Sequence, residues 1–196
     1  MTAAPASRDR APVEHFERLA REAEDPWEYA TSDYEQRKYR RTLEYLPERC
    51  GRTLELGCSI GVFTAMLAPR TSELVAVDFS PTALERARRR LGDADRVELL
   101  CRRLPEEMPA GPFDTIVCAE ILYYWSAPLV HDGLHRMEAA LAPGGTLLAV
   151  HWRHPDPRRE LTGDDAHAIV DEGTSLVLDA SRTTSDYLLD RWRARW

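Results

Sequence analysis

The chain has 196 residues, 43% of them hydrophobic and 30% charged, with a formal net charge of -7 and a pI near 5.4. That profile fits one soluble globular domain, and its acidic balance argues against a nucleic-acid partner. Of the 26 basic residues only Lys38 is a lysine, so no Gly-Lys pair exists for a P-loop and no core lysine for Schiff-base chemistry.

Residues 1–12 read as a flexible polar tail with no apolar leader, and residues 13–47 as a helical arm. Its helical pattern runs from His15 to about Leu46, broken at Asp25-Pro26-Trp27. From residue 48 to 196 strand-like and helix-like segments alternate. Thr53–Leu56 is a short strand ending in a Gly-rich turn, and Val62–Leu67 continues as a helix. Leu74–Val77 is an apolar strand ending in Asp78. Ser80-Pro81 is a helix start, with Ser as N-cap and Pro in the first turn. Ala83, Leu84, Ala87 and Leu91 give that helix its inward face, and Arg86, Arg88, Arg89 and Arg90 its solvated face. Val97–Leu100 and Asp114–Ala119 are the third and fourth strands. A helix over Leu129–Leu141 is stopped by Pro143-Gly144-Gly145, and Thr146–His151 is the fifth strand. A helix near Asp164–Asp171, capped by Thr162, precedes two strands near Ser175–Asp179 and Tyr187–Trp192. This rhythm predicts a single-domain, Rossmann-like α/β fold. Its sheet has seven strands, mostly parallel, with an antiparallel C-terminal hairpin and helices on both faces. Cys50, Cys58, Cys101 and Cys118 are scattered, with no C-x-x-C pair, which fits a reduced cytoplasm. No apolar run approaches the roughly 20 residues of a membrane span.

The stretch Glu55-Leu56-Gly57-Cys58-Ser59-Ile60-Gly61 lies between the first strand and the first domain helix, where open α/β sheets bind ligands. Gly57 lets the chain turn and come close to a ligand, and Gly61 permits tight packing. About 20 residues on, Asp78 is placed to accept hydrogen bonds from ribose hydroxyls. A dinucleotide loop wants three glycines as G-x-G-x-x-G. Ser59 and Val62 stand at two of those positions, so an oxidoreductase is disfavoured. Acid-x-Gly-x-small-x-Gly, the S-adenosyl-L-methionine form, is met by Glu55, Gly57, Ser59 and Gly61. A methionine tail carries an ammonium, which favours a nearby carboxylate such as Glu55.

With these residues the chain resembles the class I S-adenosylmethionine-dependent methyltransferases. Phe113-Asp114-Thr115-Ile116-Val117 is similar to their fourth strand, and Leu141-Ala142-Pro143-Gly144-Gly145-Thr146-Leu147 to their turn before strand five. A narrower resemblance is to the nodulation protein S type of N-methyltransferase. It rests on Asp25-Pro26-Trp27, Tyr34-Glu35-Gln36, Gly57-Cys58-Ser59-Ile60-Gly61 with Phe63-Thr64, and Ala119-Glu120-Ile121-Leu122-Tyr123-Tyr124. That family methylates the free amine of a deacetylated amino-sugar end on a chitin-like oligosaccharide. The resemblance implies cofactor contacts at Trp27, Tyr34, Glu55, Gly57, Cys58, Ser59, Gly61, Thr64, Asp78, Phe79, Ser80, Leu104, Ala119 and Glu120. It also implies an arm carrying Trp27, Tyr34 and Lys38 that closes over the cofactor. One departure stands out. Where many class I enzymes hold adenine with an Asp, this chain has Arg103, which cannot accept a hydrogen bond. Backbone groups, Leu104 and Phe79 would then hold the adenine.

An amine nucleophile must shed a proton before methyl transfer, and Glu120, just past strand four, is the candidate acceptor. Tyr123 and Tyr124 are candidates to wall the pocket. His151, at the end of strand five, is a candidate for proton transfer. His151 with His154, and His131 with His135, have metal-compatible spacings but no convergent carboxylate, so no metal is expected. The leading expectation is N-methylation of a small amine-bearing molecule or amino sugar by a monomer or homodimer. An O-methyltransferase of a natural product and a non-catalytic cofactor-binding partner subunit are the alternatives. A DNA amino-methyltransferase would carry a Pro-Pro-aromatic tetrad after strand four, where this chain has Glu120-Ile121-Leu122-Tyr123.

Overall fold

The computed structural model describes residues 13–195, so the expected tail over residues 1–12 lies outside the described residues. Two helices open the described chain, α1 (Val13–Glu22) and α2 (Asp33–Tyr45). Then follow β1 (Gly51–Leu56), α3 (Val62–Leu67), β2 (Thr71–Asp78), α4 (Pro81–Leu91), β3 (Val97–Cys101) and β4 (Phe113–Ala119). The remainder is α5 (Ala127–Ala140), β5 (Leu141–Trp152), α6 (Gly163–Gly173), β6 (Val177–Thr183) and β7 (Tyr187–Arg193).

The seven strands form one sheet in the order β3-β2-β1-β4-β5-β7-β6. Strands β1 to β5 pair in parallel, as at Leu54 with Val75 and with Ile116, while β7 runs antiparallel to β5 and to β6. This is the expected architecture. Side chains alternate across a strand, so each strand supplies both faces of the sheet. Leu54, Leu56, Ile116, Cys118, Leu147 and Ala149 pack on one side with Val130, Leu134, Met137, Ala166 and Val170 of α5 and α6. Val117, Leu148, Val150 and Leu189 pack on the other with Tyr39 and Leu43 of α2 and Phe63 and Leu67 of α3. Central strands apolar on both faces favour the parallel arrangement, because such a sheet must be covered twice.

The local signals act where they were read. Ser80 accepts the Ala83 amide and caps α4, with Pro81 in its first turn. Thr162 caps α6 reciprocally with Asp165. Ser32, unremarked in the sequence, caps α2. Two boundaries differ. Helix α5 ends at Ala140, and β5 starts directly at Leu141, carrying Pro143-Gly144-Gly145 with it. Strand β6 lies at Val177–Thr183 rather than 175–179. Most of its side chains are exposed, so the apolar alternation that would mark it is weak.

The topology turns at β1. The chain winds outward through β2 and β3, then returns to place β4 on the other side of β1. Loops after β1 and β4 therefore diverge and leave a crevice at their carboxyl ends.

Candidate active site

The crevice is built from the β1–α3 loop. The amides of Gly57 and Cys58 both donate to the Val77 carbonyl, at 2.8 and 3.0 Å, which stitches the loop to the end of β2. Gly57 (φ +76°), Ser59 (φ +48°) and Gly61 (φ +75°) are all left-handed. A side chain is strained in that region, and glycine is free of the penalty. At Gly61 a Cβ would also stand 2.9 Å from Ala87 Cβ, so this glycine lets α3 and α4 approach.

Asp78 organises the next layer. Its carboxylate accepts the Ser59 amide on one oxygen and the Ser80 amide on the other, both at 2.9 Å. Burial pushes its pKa up, and those amides oppose the shift. Asp78 thus fixes the loops that follow β1 and β2.

A partly open pocket of about 120 Å³ lies over these groups. Of the residues expected at the cofactor, Trp27, Gly57, Ser59, Asp78, Phe79, Ser80, Arg103, Leu104 and Glu120 line it. Glu55, Cys58, Gly61, Thr64, Ala119 and Tyr34 do not. Glu55 sits inside the sheet, between Ala76 and Val117 in register, 2% exposed. Burial pushes its carboxyl up to about 7, with the nearby Thr64 hydroxyl opposing the shift, and its Oε2 makes no close hydrogen bond. Cys58 is buried against Ala76 and Leu84, and Thr64 is fully buried in α3. Ala119 closes β4 beside the cluster under α2 and α3. Tyr34 stands edge-on to Trp152, at 5.4 Å between ring centroids, and lines a separate groove.

Sequence reasoning missed the contribution of α1. Phe16 packs edge-on against Tyr124 at 4.9 Å and Phe79 at 6.0 Å, and lies 6.3 Å from Trp27. The Glu17 carboxylate accepts the hydroxyls of Ser80 and Thr82, both at 2.5 Å, at the start of α4. Helix α1 is thereby fastened over the crevice and narrows it. The signal was a lone aromatic in a strongly charged helix, which no motif contains. Tyr29 and Trp125 also line the pocket and were not singled out.

The opposite wall carries Glu120, one of the three expected catalytic residues. Glu120 follows β4 with φ +58°, a strained value for a side-chain-bearing residue. Its amide donates to the Val150 carbonyl at 2.9 Å. Its Oε1 lies 2.5 Å from Lys38 Nζ, and its Oε2 accepts the Trp152 amide at 3.0 Å and the Tyr123 hydroxyl. Lys38 also bonds Glu35 Oε1 at 3.0 Å. Burial disfavours the charge on Glu120, yet the Lys38 ammonium and its two other donors outweigh burial and hold its pKa below the ordinary value. Burial likewise opposes the charge on Lys38, and the two carboxylates raise its pKa.

Two expectations on this wall require correction. Tyr123 does not line the pocket. It is 1% exposed, its hydroxyl is spent on Glu120, and the Arg159 guanidinium covers its ring at 4.0 Å. Tyr124 and Ile121 line the pocket instead. His151 does not reach the crevice either. It shares the parity of Leu147 and Ala149, so it points to the α5–α6 side of the sheet and is fully buried. The Leu122 amide donates to its Nε2 at 3.1 Å. Its Nδ1 must then carry the proton and donate to His167 Nε2 at 3.0 Å, and His167 Nδ1 in turn donates to Asp190 at 2.6 Å. Burial and the neighbouring imidazole depress the His151 pKa well below the ordinary value. His151 is a neutral strut under the loop that carries Tyr123, not a proton carrier at the pocket. Among the described residues no three His, Cys, Asp or Glu side chains form a metal-holding cluster.

A glycine loop at the switch point of this strand order, with a carboxylate closing β2, defines a class I S-adenosylmethionine-dependent methyltransferase. A family model described as nodulation protein S matches residues 11–174. The Nodulation protein S of Bradyrhizobium diazoefficiens is 36% identical over 141 residues, covering 69% of this chain and 67% of the relative. That of Rhizobium tropici is 30% identical and covers 98% of this chain and 90% of the relative. The crystal structure of the N-methyltransferase NodS from Bradyrhizobium japonicum, in complex with S-adenosyl-L-homocysteine, is 27% identical. It matches with a TM-score of 0.83, covering 92% of this chain and 97% of that one. The chain belongs to the nodulation protein S family.

S-adenosylmethionine is its cofactor. The residues present fit that group. A left-handed glycine stands where the loop meets the pocket, Asp78 lies at the rim, and the carboxyl oxygen of Glu55 is buried behind the loop without a close hydrogen bond. None of the described helices is long and apolar enough to cross a membrane.

Proposed function

We propose that this methyltransferase acts on the nitrogen of a small amine-bearing acceptor of the amino-sugar class. The observation that carries the reading is Glu120, a carboxylate kept ionised by Lys38 on the wall of an aromatic pocket. Bound S-adenosylmethionine supplies an electrophilic methyl group. The Gly57–Gly61 loop, Asp78 and Ser80 would hold it, with Phe79 and Leu104 against the adenine and Trp27 at the arm side.

The rest belongs to the protein's own residues. Glu120 attracts a cationic amine, and the faces of Tyr124 and Trp27 favour the same charge by cation–π attraction. Its depressed pKa makes it a weak base, so its principal part is to draw in and orient the acceptor while solvent takes the proton. Lys38, Tyr123 and the Trp152 amide fix the carboxylate in place, which is what an orienting group requires. Helix α1, pinned through Glu17 and Phe16, narrows the pocket around the acceptor.

The test uses labelled cofactor with two acceptors, glucosamine oligosaccharides and their fully N-acetylated forms. Label on the free-amine form alone supports the reading. Equal labelling of both, or transfer to hydroxyl positions, overturns it.

A further inference from the structure

Three consecutive residues at the end of β5 hold the segment 120–124, which brings Glu120, Ile121 and Tyr124 to the pocket wall. The Val150 carbonyl accepts the Glu120 amide at 2.9 Å, and the Trp152 amide donates to Glu120 Oε2 at 3.0 Å. Between them, His151 Nε2 accepts the Leu122 amide at 3.1 Å. The outer two clamps use backbone atoms of β5 and do not depend on its side chains. The middle one needs a bare ring nitrogen. The His151 ring also packs edge-on against Tyr123, at 5.0 Å between centroids, and the Tyr123 hydroxyl bonds Glu120. Glu120 is therefore supported by His151 along two routes.

A bare Nε2 on a neutral imidazole puts the proton on Nδ1, and a buried N–H without an acceptor is costly. His167 Nε2 is that acceptor, at 3.0 Å, so the His167 proton lies on Nδ1, 2.6 Å from Asp190 Oδ2. The direction of the whole chain is thus set at its far end. An ionised Asp190 can only accept, which fixes first the His167 tautomer and then that of His151. Without the carboxylate the reversed order becomes accessible. Both imidazoles then carry their protons on Nε2, and an N–H of His151 faces the N–H of Leu122. All three side chains are buried, and Asp190 Oδ1 makes no hydrogen bond. An apolar trio at these positions would avoid the desolvation, so sheet stability alone does not call for them.

We propose that Asp190 on β7 and His167 on α6 are positioning residues for methyl transfer, fixing the His151 tautomer that holds segment 120–124 and its Glu120 carboxylate against the pocket. Neither side chain lines the pocket itself. The effect on turnover rests on the N-methyltransferase reading, whereas the tautomer and the Leu122 clamp are read without any acceptor. Nitrogen-15 correlation spectra of the full-length labelled protein show which ring nitrogen of each histidine carries its proton. Amide hydrogen exchange at Leu122 reads the clamp. Asp190→Leu removes the terminal acceptor, His167→Leu breaks the chain from α6, and Asp190→Asn restores a neutral acceptor oxygen.

The expected wild-type spectrum has His151 and His167 protonated on Nδ1 alone. In both Leu variants the Leu122 amide should exchange roughly tenfold faster, the loss of about one hydrogen bond. Turnover of glucosamine oligosaccharides should fall about tenfold with S-adenosyl-L-homocysteine affinity unchanged, because an orienting group has shifted while the cofactor loop has not. Asp190→Asn should recover most of both. A wild-type His151 protonated on Nε2, or on both nitrogens, overturns the proposal without any variant having to fold. So does wild-type exchange at Leu122 in folded Asp190→Leu and His167→Leu. Turnover lost in step with S-adenosyl-L-homocysteine affinity also overturns it, since that marks a general loosening of the sheet. Absence of methyl transfer by the wild-type protein to the free-amine oligosaccharide counts against the N-methyltransferase reading, and the spectra and exchange rates still decide the clamp.

Discussion

Glu55 offers the most quantitative check. The substitution is Glu55→Gln, which keeps shape and removes the titration. The folded protein holds this carboxyl at about 7, against an ordinary value of 4.5, because burial penalises its ionised form. Below about pH 4.5 the group is protonated in both folded and unfolded chains and makes no difference. As pH rises, the unfolded chain releases its proton first, so the folded state loses stability until the pH passes about 7. A difference of about 2.5 units corresponds to roughly 3 kcal/mol. For a chain of this length each kcal/mol moves Tm by about 2–4 °C, so the full effect is about 6–12 °C.

Thermal unfolding of both proteins from pH 4 to pH 9 reads this difference. Other titrating groups contribute almost equally to both curves, apart from the neighbouring Asp78. The two Tm values should separate progressively above pH 5, with Glu55→Gln the more stable at pH 8–9. A separation independent of pH would refute the argument. It would mean that Glu55 is ionised in the folded protein and that its Oε2 finds a close donor.

Asp78→Ala removes the acceptor of the Ser59 and Ser80 amides and should weaken S-adenosyl-L-homocysteine binding at least tenfold by calorimetry. Glu120→Gln should retain cofactor affinity and lower kcat in the acceptor assay; unchanged turnover would remove Glu120 from the orienting role. Lys38→Met leaves Glu35 and Glu120 facing each other without a cation and should cost about 3–5 kcal/mol by denaturant unfolding; no loss would show that the network is hydrated and weak. Glu17→Ala frees α1 from α4 and should speed S-adenosyl-L-homocysteine release about tenfold in stopped flow, whereas an unchanged rate would mean that α1 does not limit exit.

Much of the site was legible because its signals are contiguous. An apolar strand, a glycine turn and a Ser-Pro helix start lie within thirty or so residues, and each acts through its own backbone. Glu120 was legible by position only. Its partner Lys38 comes from α2, and its ionised state follows from a contact that no spacing encodes. His151 misled because a strand end near a crevice says nothing of which face the side chain takes. One step of alternation directs it at His167 instead. Phe16 stayed hidden because its helix packs on the crevice through partners far along the chain.

The sequence by itself determined the strand–helix alternation, the cofactor loop and Asp78, since propensity, turn chemistry and capping are local. Only the tertiary structure decided how full the pocket is, which carboxylates are charged, and that His151, His167 and Asp190 form one hydrogen-bonded chain. Those properties depend on burial and on distances between residues remote in sequence, and neither exists until the sheet has closed and the arm has packed against it.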